Sequence, residues 1–239
     1  MFLMISDVVG SGMLAKAFQK SDSRGCTFFC SGVSNSTETN PIEFEREAAL
    51  LKKVLAFSKS NCLVYFSSIL APAKGNKYYE HKSNMEQLVK SQSNEYLILR
   101  LPQVAGNVLN NTLLPSFIKK IYFEEYFEVY SDAPRSLVDV DDVVKIFDKI
   151  YKDNIKNKTL NLCPGYFFQP VELTIIIGEL LGKQPNMGIV KKESIQLCEP
   201  EPILSDYQYL LGDLDTYLKR VVNKYTKSIV EKLEFGINT

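Results

Sequence analysis

The sequence has one histidine, His81, so no site can be built from several imidazoles. Its five cysteines, Cys26, Cys30, Cys62, Cys163 and Cys198, are scattered, odd in number and form no CxxC pair. That excludes a disulfide framework and a cysteine-rich zinc site, and no metal ligand set is expected. Neither sign of charge is in excess: 28 Lys plus Arg stand against 28 Asp plus Glu. Nucleic acid is therefore not an expected partner. A long apolar run is also missing. The opening MFLMISDVVGSG has no basic flank, and its apolar stretch is too short for a signal peptide or a membrane span. The expectation is no membrane partner and a cytoplasmic location. No G-x-S-x-G elbow supports a serine hydrolase. Internal repeats and low-complexity linkers are absent.

What remains is ordinary globular material. The chain has 239 residues, of which 45% are apolar and 23% charged. That length forms one large or two small domains with a full core. Short apolar runs alternate with amphipathic stretches. Strands are expected at Phe2–Val8, Cys26–Cys30, Cys62–Ser67, Tyr96–Leu101, Phe127–Tyr130, Thr159–Cys163 and Met187–Val190. Helices are expected at Met13–Gln19, Pro41 to about Lys59, Tyr78–Ser91, Asn111–Ile121, Asp141–Tyr151, Pro170–Leu181 and Leu214–Leu233. Asn40-Pro41 is a helix start in which Asn caps and Glu43 closes a capping box. The alternation implies an α/β fold with a parallel sheet covered on both faces.

Gly10-Ser11-Gly12-Met13-Leu14-Ala15 matches GxGxxG/A between the first strand and the first helix. Glycine there permits a tight turn and lets a pyrophosphate approach the backbone. The same pattern can be a plain glycine turn. Tyr78 and Lys82 are spaced i, i+4 and share one helix face. An ammonium one turn away favours the phenolate and brings a tyrosine toward the working pH range. Ser67 and Ser68 end the preceding strand, at the carboxyl edge where ligands bind in such sheets. Tyr79 lacks a lysine four residues on, so it is not the acid/base. His81 points to another helix face and reads as a packed or exposed helix residue.

These pieces in this order resemble the extended short-chain dehydrogenase/reductase family, in its sugar-nucleotide epimerase/dehydratase/reductase branch. Val64–Ser68 is similar to the strand leading to that family's catalytic Ser or Thr. Tyr78–Val89 is similar to its Tyr-x-x-x-Lys helix. Leu99–Gly106 is similar to its segment beside the nicotinamide, and Arg135–Val143 to its Arg and Val-Asp-Asp segment. The resemblance implies a doubly wound, Rossmann-type parallel sheet with a small C-terminal substrate-binding lobe. The dinucleotide-binding core would span 1–110 with 136–165, and the lobe 111–135 with 166–239.

By that resemblance Ser68 orients a substrate oxygen, Tyr78 is the general acid/base, and Lys82 lowers its pKa and bonds the nicotinamide ribose. NAD or NADP would be held by Gly10, Ser11, Gly12, Met13, Leu14, Ser31, Gly32, Tyr78, Lys82, Pro102 and Val104. Arg135, with Asn111, would bind the diphosphate of a nucleotide-sugar substrate, a task suited to a planar charged fork. Asp141 and Asp142 read as a helix cap and not as catalytic. Tyr166-Phe167-Phe168 either flanks the sugar or packs its loop. A homodimer through helices 41–59 and 78–91 is part of the same expectation, although Leu51, Val54 and Leu55 could equally face the sheet.

The departures from the family also carry information. The strand that aligns with its fourth, at Thr27–Ser34, follows the first helix directly. One strand-helix-strand unit is missing, and it is the unit that reads the adenosine ribose. CTFFC ends in Ser31-Gly32 with no acidic residue. Glu47 stands where the family often has a structural Asn, and Gln103 and Ala105 replace its usual Asn and Tyr. Ile69 and Leu70 stand where 4,6-dehydratases carry an acidic pair. The expected activity is an NAD(P)-dependent reductase or epimerase of a nucleotide-linked keto-sugar, in surface-polysaccharide biosynthesis. The alternative is a non-catalytic binding module of the same descent.

Overall fold

The computed structural model of the chain describes residues 8–21, 25–58, 62–191 and 202–236. In chain order its elements begin β1 (Val8–Val9), α1 (Met13–Phe18), β2 (Cys26–Phe29), α2 (Pro41–Phe57), β3 (Cys62–Ser68), α3 (Lys77–Gln92), β4 (Glu95–Leu101) and β5 (Gln103–Ala105). They continue α4 (Leu113–Tyr122), β6 (Phe127–Ser131), β7 (Leu137–Asp139), α5 (Val140–Lys152), β8 (Lys158–Asn161), α6 (Pro170–Leu181) and β9 (Met187–Lys191). A 3-10 helix, Pro202–Leu211, precedes α7 (Tyr217–Glu234). Two compact units result: Met1–Leu101 with Val140–Leu162, and Pro102–Asp139 with Cys163–Thr239.

The first unit is a five-stranded parallel sheet in the order β1-β2-β3-β4-β8. Period-two alternation divides its side chains between two helical layers. Phe28 and Phe66 point to one face, where Phe18 of α1 meets both at 4.8 Å between ring centroids and Phe147 of α5 meets Phe28 at 5.1 Å. Phe29, Leu63, Tyr65 and Ile98 point to the other, against Leu51 and Val54 of α2 and Met85 and Val89 of α3. Each such fully buried side chain contributes about 1.5–3 kcal/mol of transfer free energy. This is the expected Rossmann-type fold, with helices on both faces. Leu51 and Val54 face the sheet and are fully buried there.

The local signals are only partly as expected. Asn40 does cap α2, its side chain accepting the Ile42 amide at 3.1 Å. No capping box closes, because the Asn40 amide donates to Glu38 and Glu43 takes the Arg46 guanidinium instead. Residues 2–7 of the expected first strand lie outside the described residues. Helix α5 begins at Val140, so Asp141 and Asp142 occupy its first turn and Asp141 is not the cap. Helix α4 begins at Leu113, later than expected, with Thr112 at its N-cap position and Pro115 in its first turn.

The second unit holds two parallel two-stranded ladders, β5 with β7 and β6 with β9. Buried Asp139 anchors α7 to β7 there, accepting bonds from Tyr225 at 2.5 Å and Lys224 at 2.6 Å. Among the described residues, no helix is long and apolar enough to cross a membrane.

Candidate active site

The carboxyl end of β3 presents two serines on opposite faces of the sheet. Ser67 is buried and donates to Glu86 of α3 at 2.7 Å. Glu86 also takes a two-pronged bond from Arg100 of β4, at 2.8 and 2.6 Å. Ser67 is thus tied into a structural brace between α3, β3 and β4. Ser68 is half-buried, and its oxygen accepts the Leu70 amide at 3.2 Å. That bond uses a lone pair and leaves the hydroxyl proton for a substrate oxygen. The geometry therefore favours Ser68 over its neighbour for a chemical role.

Helix α3 starts next along the chain. Asn76 caps it, its side chain accepting the Tyr78 and Tyr79 amides at 2.9 and 3.2 Å. The cap fixes the first turn, and with it the base of the Tyr78 side chain. One turn later Lys82 is buried between two aromatic rings. Its Nζ lies 5.7 Å from the Tyr78 centroid and 5.3 Å from that of Tyr65.

Lys82 is held by a carboxylate. Glu47 of α2 is fully buried and accepts Lys82 Nζ at 3.0 Å, the Tyr65 hydroxyl at 2.6 Å and the Val33 amide at 2.7 Å. Lys82 also reaches the Tyr65 oxygen at 3.3 Å. His81 Nε2 lies 3.1 Å from the second Glu47 oxygen, at ion-pair distance but without the alignment of a hydrogen bond, and its ring packs on Phe44. Of the expected packed or exposed residue on another helix face, His81 is the packed one, but it lies beside the same carboxylate as Lys82.

The electrostatics follow from that arrangement. Burial raises the Glu47 carboxyl. The Lys82 charge, the adjacent His81 ring and the bonds from Tyr65 and Val33 outweigh burial and bring it down to about 2. Burial lowers Lys82, opposed by Glu47 and Glu86. Burial pushes the Tyr78 phenol up, and the negative charge of Glu47 adds to the rise. The motif predicts that Lys82 brings Tyr78 down toward neutrality. The direction in the structure is the opposite, because burial takes the phenol out of water and the charge of Glu47 adds to the rise.

The glycine turn lies exposed between β1 and α1. Gly10, at φ +128°, packs so closely on β2 that a Cβ there would sit 2.7 Å from the Cys30 carbonyl oxygen. A Cβ on Gly12 would meet nothing within 4 Å. Gly10 is thus needed by the backbone, while Gly12 leaves room above the turn. Ser11 is exposed, and Met13 and Leu14 are half-buried at the start of α1. Ser31 and Gly32 follow β2. Gly32 lies over the ion pair, where a Cβ would fall 2.6 Å from Lys82 Nζ and 2.9 Å from Glu47 Oε1.

The remaining expected site residues belong to the second unit. Pro102 and Val104 are half-buried at β5. Asn111 is exposed just before α4. Arg135 forms a backbone bridge with Phe168, and its Nη1 donates to the Ala133 and Pro134 carbonyls at 3.0 and 3.1 Å. Tyr166 donates to the Leu137 carbonyl at 2.7 Å, a loop-packing role.

Sequence reasoning did not assign roles to Glu47, Tyr65, Glu86 and Arg100. A signal for the first was present: Glu47, Leu51 and Val54 fall on one stripe of α2, as Lys82, Met85 and Val89 do on α3. An acid and a base, each on an apolar stripe facing the same strands, point to a buried pair.

Residues 65–163 match the NAD dependent epimerase/dehydratase family. That span includes Ser68, Tyr78 and Lys82, in agreement with the resemblance read from the motifs. No curated protein matches the chain by sequence. Among solved structures, the fold is similar to the Bordetella bronchiseptica enzyme WbmH in complex with NAD+, with a TM-score of 0.72 at 16% identity over 89% of this chain and 76% of that one. UDP-N-acetylglucosamine 4-epimerase from Methanobrevibacter ruminantium M1, in complex with UDP-N-acetylmuramic acid, gives 0.70 at 15% over 88% and 81%. The UDP-glucose 4-epimerase of Thermus thermophilus, in complex with NAD, gives 0.68 at 13% over 91% and 81%.

Proposed function

We propose that the chain is an NAD(P)-dependent enzyme of nucleotide-linked sugars, and that it reduces a keto-sugar. The observation that carries this is the placement of Ser68 at the carboxyl end of β3 and of Tyr78 in the first turn of α3, inside the matched residues 65–163. A bound nicotinamide dinucleotide would supply the hydride. The half of the site that faces the chemistry fits such a group: an exposed Gly10–Gly12 turn with room above Gly12, then Ser68 and Tyr78. Ser68 donates to the substrate carbonyl and holds it. Tyr78, kept protonated by burial and by Glu47, gives its proton to that oxygen as the alcohol forms. Reduction needs the neutral phenol and epimerisation needs the phenolate as well, so this environment supports the reductase over the epimerase. The resemblance supports a homodimer and surface-polysaccharide biosynthesis. It also supports the second unit as the substrate lobe, with Arg135 and Asn111 on the diphosphate.

The second reading is a non-catalytic binding module. It is favoured by one observation, that among the described residues β1 is the edge of the sheet. Thermal unfolding with NAD+, NADH, NADP+ and NADPH, each alone and then with UDP, GDP, CDP and dTDP, separates the two. A ligand at 100 times its Kd adds about 2.7 kcal/mol. Stabilisation by a dinucleotide supports the enzyme. Stabilisation by a nucleotide diphosphate alone supports the module, and no shift with any ligand contradicts both.

A further inference from the structure

Two halves make a dinucleotide-binding sheet, and the pyrophosphate crosses between them over the end of the first strand. One half carries the reacting ring. The other carries the strand whose acidic end reads the adenosine ribose, or whose arginine reads a 2′-phosphate. Among the described residues only the first half is built. β1 pairs with β2 through Val8↔Phe28 and Val9↔Phe29, and the Cys30 amide donates to the Val9 carbonyl at 2.8 Å. Among the described residues no strand pairs with the opposite edge of β1. Residues 19–25, between α1 and β2, are too few for a strand-helix-strand unit. The chemistry-bearing side chains Ser68, Tyr78 and Lys82 all lie on β3 and α3, beyond β2.

The groups near the end of β2 do not replace the missing reader. Cys30, Ser31 and Gly32 carry no charge. Glu47 is fully buried and engaged by Lys82, Tyr65 and Val33. Arg46 is engaged as well, pairing with Glu43 at 3.0 Å and donating from Nη1 to the Ser31 carbonyl at 3.4 Å.

Resting on the reading above, we propose that the site recognises the nicotinamide mononucleotide half of its cofactor alone, so that NADH, NADPH and reduced nicotinamide mononucleotide bind alike. The adenosine end, with or without its 2′-phosphate, stays in solvent.

The test is direct binding to the full chain, followed by the fluorescence of the reduced nicotinamide, with ADP-ribose as the probe for the adenosine end. The three reduced ligands should agree within about threefold, and ADP-ribose should bind at least a hundredfold more weakly. Preference for NADH or NADPH over the mononucleotide by more than tenfold overturns the inference while leaving the reductase reading intact. Failure of all three to bind overturns both. Gly12→Asp localises the site: Asp suits the N-cap position, so α1 is retained, while its carboxylate opposes the approaching phosphate. All three ligands should lose at least tenfold in that variant, and unchanged binding places them elsewhere and overturns the inference.

Discussion

Glu47 Oε1 accepts Lys82 Nζ at 3.0 Å, with both side chains out of solvent. This pair sets the character of the site. A lysine beside a tyrosine ordinarily stabilises the phenolate. Here the lysine is matched by a carboxylate, and the tyrosine is left as an acid.

The pair makes stability depend on acid. Glu47 is held at about 2 against its ordinary 4.5, so its contribution is full above pH 4.5 and is lost as pH falls toward 2. The difference corresponds to about 3 kcal/mol. Urea unfolding of Glu47→Gln should show a loss of about 3–5 kcal/mol at pH 7, where Lys82 is left buried and unpaired. The gap to the wild type should narrow below pH 4. A gap that is the same at pH 7 and pH 3 would contradict the ion pair.

The raised Tyr78 phenol predicts opposite pH behaviour for the two directions of reaction. Keto-sugar reduction needs the protonated form, so its kcat/KM should not fall through loss of the Tyr78 proton between pH 6 and 9. Oxidation of the sugar alcohol needs the phenolate and should keep rising, about tenfold per pH unit, across the same range. Profiles in both directions check this. An oxidation limb that levels off near pH 7 would mean that Lys82 activates Tyr78 after all.

The two serines should separate cleanly. Ser68→Ala should lower turnover about 10²-fold with little change in urea midpoint. Ser67→Ala should cost about 1–3 kcal/mol, because Glu86 loses a buried donor, and should leave turnover within a few fold. The reverse pattern would move the catalytic role to Ser67.

The glycine turn should behave asymmetrically. Gly10→Ala meets the Cys30 carbonyl and a positive φ, and should cost at least about 1–3 kcal/mol. Gly12→Ala meets no neighbour and should lie within about 0.5 kcal/mol of the wild type. Equal losses in urea unfolding would refute this account of the turn.

Much of the first unit was legible because its strands are apolar runs set between amphipathic helices. The shortened front half could be read through the family resemblance, since Phe18 and Cys26 leave no length for the unit that the family carries there. Strands β5 and β7 were not legible, being three residues each and too short to show alternation. The start of α5 was misplaced because Asp141 has the chemistry of a cap, while the fold starts the helix one residue earlier. In the site, Ser68, Tyr78 and Lys82 carried a motif. The ion pair did not, because it depends on tertiary packing that brings residues 35 apart in sequence together. A family pattern suggested that Lys82 would act on Tyr78, but burial of the phenol, with the charge of Glu47 on a neighbouring helix adding to it, pushes the tyrosine the other way.

The most direct test of the account is turnover of a nucleotide-linked keto-sugar by wild type and Tyr78→Phe, followed by loss of reduced-nicotinamide absorbance. The account predicts measurable oxidation of the cofactor by the wild type and a fall of about 10²–10⁴ in the variant, at unchanged thermal stability. Near-normal turnover by Tyr78→Phe would contradict it.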